Sequence, residues 1–216
     1  MTAVETPLTS RLLERPVPES VPLEGHVGEI DVIGPLLRAS ATADVDGGRH
    51  VNRVGRYAGV IAKALGLEWA RCSELASSCR LHDIGKLGVP NRILLKPTSL
   101  TPGERCIVQQ HAAIGYRILA GSGSELLDVA ATIALTHHER FDGGGYPHGL
   151  AGEEIPLAGR IAAVADVYDA LTSRRVYRDA LPAREATDLM RGASGAQFDP
   201  VVLEAFLLAV GSSARN

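Results

Sequence analysis

The sequence predicts an all-α fold, with one domain from about residue 28 to residue 211. Apolar residues recur at helical spacing through most of this range, as at Tyr57, Val60, Ile61, Ala64 and Leu65. No segment shows the sustained alternation of apolar and polar residues that a half-buried strand requires. The chain has 216 residues, of which 45% are apolar, and this is enough to bury the core of one such domain.

Two helix starts carry clear capping signals. Thr101-Pro102-Gly103-Glu104 combines a capping box with a proline in the first turn, and this helix should carry His111 on about its third turn. Ser124 is a good N-cap for a helix that should end in His137-His138. Both predicted helices therefore bring histidines to defined places.

The remaining helices follow from spacing and stop signals. His50 opens a helix that Gly66 should end, and the next helix should run from about Glu68 to His82-Asp83, with Gly85 as its stop. An earlier helical face consists of Ile30, Ile33, Leu36 and Leu37, and later helices are expected over Leu157–Leu171, Glu185–Met190 and Pro200–Val210.

Composition excludes several classes of function. The net charge is −3, so no general binding to nucleic-acid polymers is expected. No apolar run approaches the ~20 residues of a membrane span. Residues 1–27 are rich in proline and predict a flexible lead, and 212–216 predict a short tail. The odd number of cysteines, three, suits free thiols in a reducing cytoplasm.

His82-Asp83 is the first candidate for chemistry. An imidazole and a carboxylate next to each other can bind a divalent metal, and the second carboxylate oxygen can reach a second metal. Lys86 lies three residues after Asp83 and can face the same place. Such a pair alone is more often an ordinary hydrogen-bonded pair. His111, His137-His138 and Asp166 add nitrogen and oxygen ligands, which suit iron, manganese, zinc or nickel rather than calcium.

A glycine-rich stretch follows the histidine doublet closely. Phe141–Pro147 contains three consecutive glycines, which allow positive φ angles and a close approach of backbone to a ligand. A run of this kind usually marks a plain flexible loop. Its position three residues after His138 favours a loop over the metal site.

These motifs together resemble the HD-GYP family, a branch of the HD metal-dependent phosphohydrolases whose members cleave cyclic di-GMP. The resemblance covers about residues 46–206. It depends on HDIGKLGVP at 82–90, ILLKPTSLTPGE at 93–104, HAAIGYRIL at 111–119, HHERFDGGGYPHGLAGEEIPLAGRI at 137–161, ADVYDALTSRRVYR at 165–178 and GAQFDP at 195–200. It implies an HD-type helical bundle with a glycine-rich loop.

The resemblance also implies roles for particular residues. Asp83 would bridge two divalent transition metals, iron or manganese, with a water between them as the nucleophile and Lys86 as a charge stabiliser. One metal would take His50, His82 and Asp166, the other His111, His137 and His138. Asp169, Arg175 and Arg178 would lie near the substrate phosphates, and Gly145, Tyr146 and Pro147 would form the loop that names the family.

The sequence departs from the family pattern at two places. Asp46 stands where some members have a glutamate that binds a third metal, and its shorter side chain disfavours that metal. Arg174-Arg175-Val176 replaces a common Asp-Arg-Pro run, which adds charge and removes a rigid turn. By themselves these arginines would suggest a solvated basic helix end.

The resemblance implies hydrolysis of cyclic di-GMP to pGpG, with GMP as a further product. Two alternatives stay open: an HD phosphohydrolase for another cyclic dinucleotide or nucleotide, and a non-catalytic receptor or adaptor. A degenerate receptor would be expected to lose metal ligands, and this sequence retains the whole two-metal set. Partner proteins at the glycine-rich loop and a homodimer also stay open.

Overall fold

A computed structural model describes residues 33–40, 48–174 and 179–213, with side chains up to residue 211. Within these ranges the chain is helical, and its only β-type pairings are two isolated bridges. The predicted all-α class is therefore confirmed. The helices after the helical residues 33–40 are α1 (Arg49–Ala64), α2 (Trp69–Cys79), α3 (Asn91–Leu94), α4 (Pro102–Gln109), α5 (His111–Leu119), α6 (Glu125–Thr136), α7 (Leu157–Thr172), α8 (Ala183–Gly192) and α9 (Pro200–Ser213).

Two 3₁₀ turns join these helices, one over Ile84–Gly88 and one over Gly152–Glu154. The first follows directly on Asp83 and packs against α5. At Gly85 a β-carbon would overlap the carbonyl oxygen of His111. Gly85 therefore allows a close approach of two backbones, and this role differs from the helix stop predicted for it.

The helix starts follow the predicted capping chemistry. Thr101 and Glu104 form a complete capping box at the start of α4. The hydroxyl of Ser124 accepts a hydrogen bond from the amide of Leu127 at the start of α6. Each bond satisfies a backbone amide that has no partner inside its helix.

The end of α1 also matches the prediction. Gly66 has a φ of 81°, and its amide donates to the carbonyl of Lys63, which closes the helix. The buried face of α1 is rotated from the predicted one, because Val54, Ala58 and Ile61 are buried, whereas Val60 is exposed. The aromatic and leucine residues of the predicted face are only partly buried.

The core has two parts, and α6 belongs to both. Its residues Val129 and Ile133 pack in the larger cluster, with side chains of α1, α2, α7, α8 and α9. Its residues Leu127, Ala130 and Ala134 pack in the smaller one, next to the helical residues 33–40. A helix that is apolar on two sides is held on two sides, so its C-terminal end is fixed in position.

Within the described ranges, no helix has the length and apolar character needed to cross a bilayer.

Candidate metal centre

Seven predicted ligands come together at one place, although they belong to five different parts of the chain. The first turn of α1 provides His50, and the turn after α2 provides His82 and Asp83. The start of α5, the C-terminal end of α6 and the middle of α7 provide His111, His137-His138 and Asp166. The fold thus assembles what the sequence keeps far apart.

Two of these positions differ from the predicted local structure. Helix α2 ends at Cys79, so His82 and Asp83 lie in a turn and not on the last helical turn. A break at Gln110 separates α4 from α5, so His111 begins a new helix instead of lying on the third turn of α4. In both places the chain leaves the helix where a functional side chain must turn inward.

Asp83 is shared between two clusters of potential metal ligands. One cluster joins it to His50 and His82, and the other joins it to His111, His137 and His138, with the ligand atoms of each cluster within 4.8 Å of one another. Its Oδ2 lies 3.3 Å from His82 Nε2, and its Oδ1 lies 3.4 Å from His111 Nε2. The two oxygens of one carboxylate therefore face different histidines.

Asp166 extends the first cluster. Its Oδ1 lies 3.3 Å from His50 Nε2 and 4.0 Å from His82 Nε2. The structure thus brings together all seven side chains that the sequence predicted as metal ligands. It also divides them into the two predicted groups, with Asp83 between.

The histidines are oriented by contacts of their other ring nitrogen. The Nδ1 atoms of His82 and His111 lie 2.8 Å and 2.7 Å from the carbonyl oxygens of Cys79 and Val108. His137 Nδ1 lies 3.0 Å from the carbonyl oxygen of Ile133. A proton on Nδ1 leaves the Nε2 lone pair toward the cluster, and metal-binding histidines are commonly held in this way.

Burial controls the charge of these groups. It lowers the pKa of His111, His138 and His137, and that of His137 falls to about 3. These three rings are therefore neutral and can act as metal ligands. Burial also opposes protonation of His82, but the carboxylates of Asp83 and Asp166 raise its pKa to about 9.

Asp83 itself is ionised. Burial would raise its pKa, but Lys86 and His82 hold the pKa of this carboxyl group well below its usual range. The carboxylate and the three neutral rings offer the protonation states that a metal ion requires of its ligands. His82 differs, because its raised pKa keeps a proton on the ring, and a metal ion would have to displace that proton.

Two buried atoms mark the place for a cation. His82 Nε2 and Asp83 Oδ1 are buried and make no hydrogen bond within the part of the chain that the structure describes. Buried polar atoms are rarely left without partners, because the lost hydration is costly. Both atoms belong to the ligand clusters, so the residues present fit a divalent metal.

Lys86 is the nearest cationic side chain to the shared carboxylate. Its Nζ donates a hydrogen bond to Asp83 Oδ2 at 2.5 Å, as the spacing of three residues predicted. Its side chain is 33% exposed, whereas that of Asp83 is 13% exposed. Lys86 thus lies between the buried carboxylate and the surface.

Asp169 lies deeper than expected for a residue that meets substrate. It is 1% exposed, and its Oδ2 lies 2.7 Å from His50 Nδ1. Arg53 donates to both of its oxygens. Each carboxylate oxygen of Asp169 is thus engaged inside the protein. These contacts favour a role for Asp169 in orienting His50 over a contact with a substrate phosphate.

The glycine-rich stretch folds back over the second cluster. The ring of Tyr146 stacks on His138, with centroids 4.7 Å apart and planes inclined by 27°. At Gly145 a β-carbon would lie 2.5 Å from the α-carbon of Glu139, so only glycine fits there. A loop next to the predicted metal ligands was expected from the sequence, and the structure has one.

Two residues at the site were not singled out from the sequence. Arg53 lies one helical turn after His50, and this spacing on the same face was an available signal. Glu139 is 3% exposed, and its carboxylate accepts backbone hydrogen bonds from the loop. Nothing in the local pattern distinguishes Glu139 from an exposed glutamate, because its partners lie nine and eleven residues away.

Some predicted residues lie outside the described part of the chain. These are Asp46, Arg175 and Arg178. Arg174, which directly precedes Arg175, is described and is highly exposed. Its guanidinium lies 3.5 Å from the carboxylate of Asp179, which is also highly exposed. The third-metal and phosphate-binding assignments therefore stay predictions.

The sequence and the fold of this chain are similar to those of known proteins. The model of the HD domain family matches residues 39–202, which is most of the chain. The chain therefore belongs to the HD domain family, in its HD-GYP branch.

Curated relatives share a large part of the sequence. A cyclic di-GMP phosphodiesterase of Thermotoga maritima is 48% identical over 177 residues, which cover 82% of this chain and 48% of that protein. The cyclic di-GMP phosphodiesterase response regulator RpfG of Xanthomonas campestris is 41% identical, over 83% of this chain and 47% of that protein. The 3'3'-cGAMP-specific phosphodiesterase 2 of Vibrio cholerae is 37% identical, over 82% of this chain and 34% of that protein. The chain spans about half the length of the first two relatives.

Solved structures confirm the HD-type fold. A cyclic GMP-AMP-specific phosphodiesterase of Vibrio cholerae superposes with a TM-score of 0.60 at 21% identity, over 84% of this chain and 49% of that one. The HD domain of the Listeria monocytogenes phosphodiesterase PgpH, in complex with cyclic di-AMP, superposes with a TM-score of 0.58 at 18% identity. That match covers 84% of this chain and 98% of the PgpH chain.

Proposed function

We propose that this chain is a metal-dependent phosphodiesterase that hydrolyses cyclic di-GMP. The observation that carries the proposal is the pair of ligand clusters that share Asp83. Relatives 48% and 41% identical are named cyclic di-GMP phosphodiesterases, and they support the choice of substrate. A cytoplasmic location is part of the proposal, because three unpaired cysteines suit a reducing compartment.

The proposed centre holds two divalent ions. His50, His82 and Asp166 would hold one ion, His111, His137 and His138 the other, and Asp83 both. Mixed imidazole and carboxylate ligands suit iron or manganese better than calcium. Two bound dications would lower the pKa of a water molecule between them and stabilise charge on the phosphoryl group.

The side chains of the protein have separate tasks in this proposal. Asp83 contributes one oxygen to each cluster and so fixes their separation. Lys86 Nζ donates to Asp83 Oδ2 in this structure, and its ammonium group would stabilise negative charge on the phosphate of a bound substrate. Asp169 holds His50 in the tautomer that presents Nε2, and Arg53 keeps Asp169 ionised.

In this proposal one of the two phosphodiesters of a cyclic dinucleotide would lie at the ligand clusters. Arg175 and Arg178, which the family resemblance assigns to the substrate, would bind the other through their forked guanidinium groups. Ring opening gives pGpG. A second cleavage would give GMP and should be slower, because the linear product has lost the constraint that presents both phosphates together.

The alternative substrate is 3'3'-cGAMP. Three relatives, which are 37%, 42% and 39% identical, carry that specificity in their names. The metal-ligand residues alone therefore do not decide between cyclic di-GMP and 3'3'-cGAMP as substrate. The two cyclic dinucleotides differ in one base and share both phosphodiesters. Discrimination must therefore come from groups around the bases.

The decisive experiment is turnover by the metal-loaded protein on cyclic di-GMP, 3'3'-cGAMP and cyclic di-AMP, followed by chromatography. We expect cyclic di-GMP to have the highest kcat/KM and pGpG to accumulate before GMP. Faster turnover of 3'3'-cGAMP would support the alternative substrate. Tight binding without hydrolysis of any of the three would overturn the enzymatic proposal in favour of a receptor.

A further inference from the structure

Glu139 is a buried acidic residue at the edge of the metal centre. It follows His138 directly and is 3% exposed. Its Oε1 accepts the amide of His148 at 2.7 Å, and its Oε2 accepts the amide of Leu150 at 3.1 Å. Burial of a carboxylate is costly, and here two backbone amides compensate that cost with charge-assisted hydrogen bonds.

The chain between Glu139 and Leu150 closes on itself around this carboxylate. Besides the two bonds to Glu139, the amide of Tyr146 donates to the carbonyl of His138 at 3.3 Å. The backbone at Gly145 lies directly against the α-carbon of Glu139. A hydrogen bond between the amide of Asp142 and the carbonyl of Ala196 fixes the opposite side of the loop at 2.8 Å.

The loop closed in this way carries one aromatic ring to the metal centre. Tyr146 stacks on His138 and lies 6.4 Å, between ring centroids, from His111. Both histidines belong to the same ligand cluster. The two amides that donate to Glu139 belong to His148 and Leu150, two and four residues after Tyr146. They therefore set the path of the chain just after the ring.

We propose that Glu139 is a positioning residue that holds the glycine-rich loop closed and places the Tyr146 ring against His138. The inference deepens the proposed function, because the placed ring borders the site at which the substrate phosphate would bind. Glu139 touches neither substrate nor metal in this proposal. It acts through Tyr146.

The test compares Glu139→Gln with a matched control, Glu154→Gln. Glutamine keeps the size of the side chain, but its NH₂ group faces one of the two loop amides, so one hydrogen bond is lost. Glu154 also accepts a backbone amide, from Ala151 at 3.1 Å just after this loop, but it is exposed. The two substitutions are chemically identical and differ in burial and in the segment they hold.

Hydrogen exchange followed by mass spectrometry on the metal-loaded full chain gives the first result. In Glu139→Gln we expect exchange over residues 143–150 to become about tenfold faster or more, because bonds to charged groups are the stronger ones. Glu154→Gln should leave that segment unchanged, and the metal content should be normal in both variants. Equal protection of 143–150 in Glu139→Gln and the wild type would overturn the proposal.

A double-mutant cycle with Tyr146→Ala gives the second result. If Glu139 acts through the ring, Glu139→Gln should lower kcat/KM about tenfold in the wild type and less than twofold in the Tyr146→Ala background. Independent, multiplicative losses would contradict a shared role. If Glu139→Gln does not fold, Glu139→Asp takes its place, because it keeps the charge but is one methylene shorter.

The two measurements separate this inference from the proposed function. A wild-type protein without activity on any cyclic dinucleotide would reject the proposed function, while exchange of residues 143–150 would still decide the role of Glu139. Conversely, an active enzyme whose loop does not respond to Glu139→Gln rejects only the role of Glu139.

Discussion

At the scale of single residues, Asp83 is the side chain that the two groups of potential metal ligands have in common. Its two carboxylate oxygens lie near histidines of different clusters, and Oδ1 makes no hydrogen bond to a described residue. No other described side chain belongs to both clusters. We therefore expect the loss of Asp83 to affect metal binding more than the loss of any single histidine.

Replacement of Asp83 and of Lys86 should have different effects. Asp83→Ala should remove activity and most of the metal, because both clusters lose a ligand. Lys86→Ala should keep the metal and slow turnover by about 10²–10³, the usual cost of one lost electrostatic stabiliser. Elemental analysis and steady-state kinetics on each purified variant measure these effects.

Lys96→Ala is the control for the lysine. Lys96 pairs with Glu104 at the start of α4 and takes no part in either ligand cluster, so its removal should leave kcat unchanged. Wild-type turnover by Lys86→Ala with normal metal content would show that this lysine has no role in the reaction.

Asp169 should act on the metal through His50. Asp169→Asn removes the charge that orients the ring, and we expect metal affinity to fall about 10–100-fold, the usual effect of losing such an outer partner. Metal titration with a competing chelator measures the change. A substrate-contacting role would instead raise KM with metal affinity unchanged, so the two assignments are separable.

Asp199→Asn is the matched control for Asp169. Asp199 is also buried and paired with an arginine, Arg160, at 2.6 Å, but it caps the start of α9 and belongs to neither ligand cluster. Its replacement should lower thermal stability without a change in metal affinity. Equal losses of metal affinity in both variants would show that the effect of Asp169 is general destabilisation.

At the scale of elements, local signals predicted the helices well and their ends unevenly. The ends fixed by local chemistry, such as the capping box at Thr101 and the glycine at Gly66, are where the sequence placed them. The ends at Cys79 and Gln110 were missed, because no cap or breaker marks them. These two helix ends depend on tertiary structure, because His82, Asp83 and His111 all turn toward a common centre there.

The same limit applies to the site. The side chains named as ligands from residue type and from the family resemblance lie close together in the structure. They could be named beforehand because histidine and aspartate motifs are visible in a sequence. Glu139 and the buried position of Asp169 were not foreseen, because each depends on partners that only the fold brings near.

Gly85 provides a test of how closely the 3₁₀ turn must pack on α5. A β-carbon at Gly85 would overlap the backbone of His111, so alanine there should displace this predicted metal ligand. Gly85→Ala should therefore cost about 1–3 kcal/mol of stability, as overpacking typically does, and should lower metal content. Thermal unfolding and elemental analysis measure both effects.

Gly103→Ala is the matched control within α4. Apart from the local backbone of the helix, nothing lies within 4 Å of a β-carbon built at Gly103, and the residue is exposed in a helix, where alanine is preferred. This variant should be as stable as the wild type or slightly more stable, with normal metal content. If Gly85→Ala behaved like Gly103→Ala, the close contact between the turn and α5 would not be essential.

At the scale of the whole molecule, the proposed metals would connect elements from both parts of the core. Ligands come from α1 and α7, which pack in the larger cluster, and from α5 and the turn at 80–83, which adjoin the smaller one. An ion that binds only the folded chain stabilises it in proportion to the logarithm of its free concentration over Kd. At 100 times Kd this amounts to about 2.7 kcal/mol.

Removal of metal should therefore lower the stability of the whole domain and not only its activity. For a chain of this size, about 2.7 kcal/mol corresponds to a fall in Tm of roughly 5–11 °C. Calorimetry before and after dialysis against a chelator measures the shift, and addition of iron under anaerobic conditions, or of manganese, should restore it. Asp83→Ala is the control: it should already have the lower Tm and should not respond to the chelator, because its clusters lack their common ligand. An unchanged Tm in the wild type after complete removal of metal would show that the two parts of the core hold together without it.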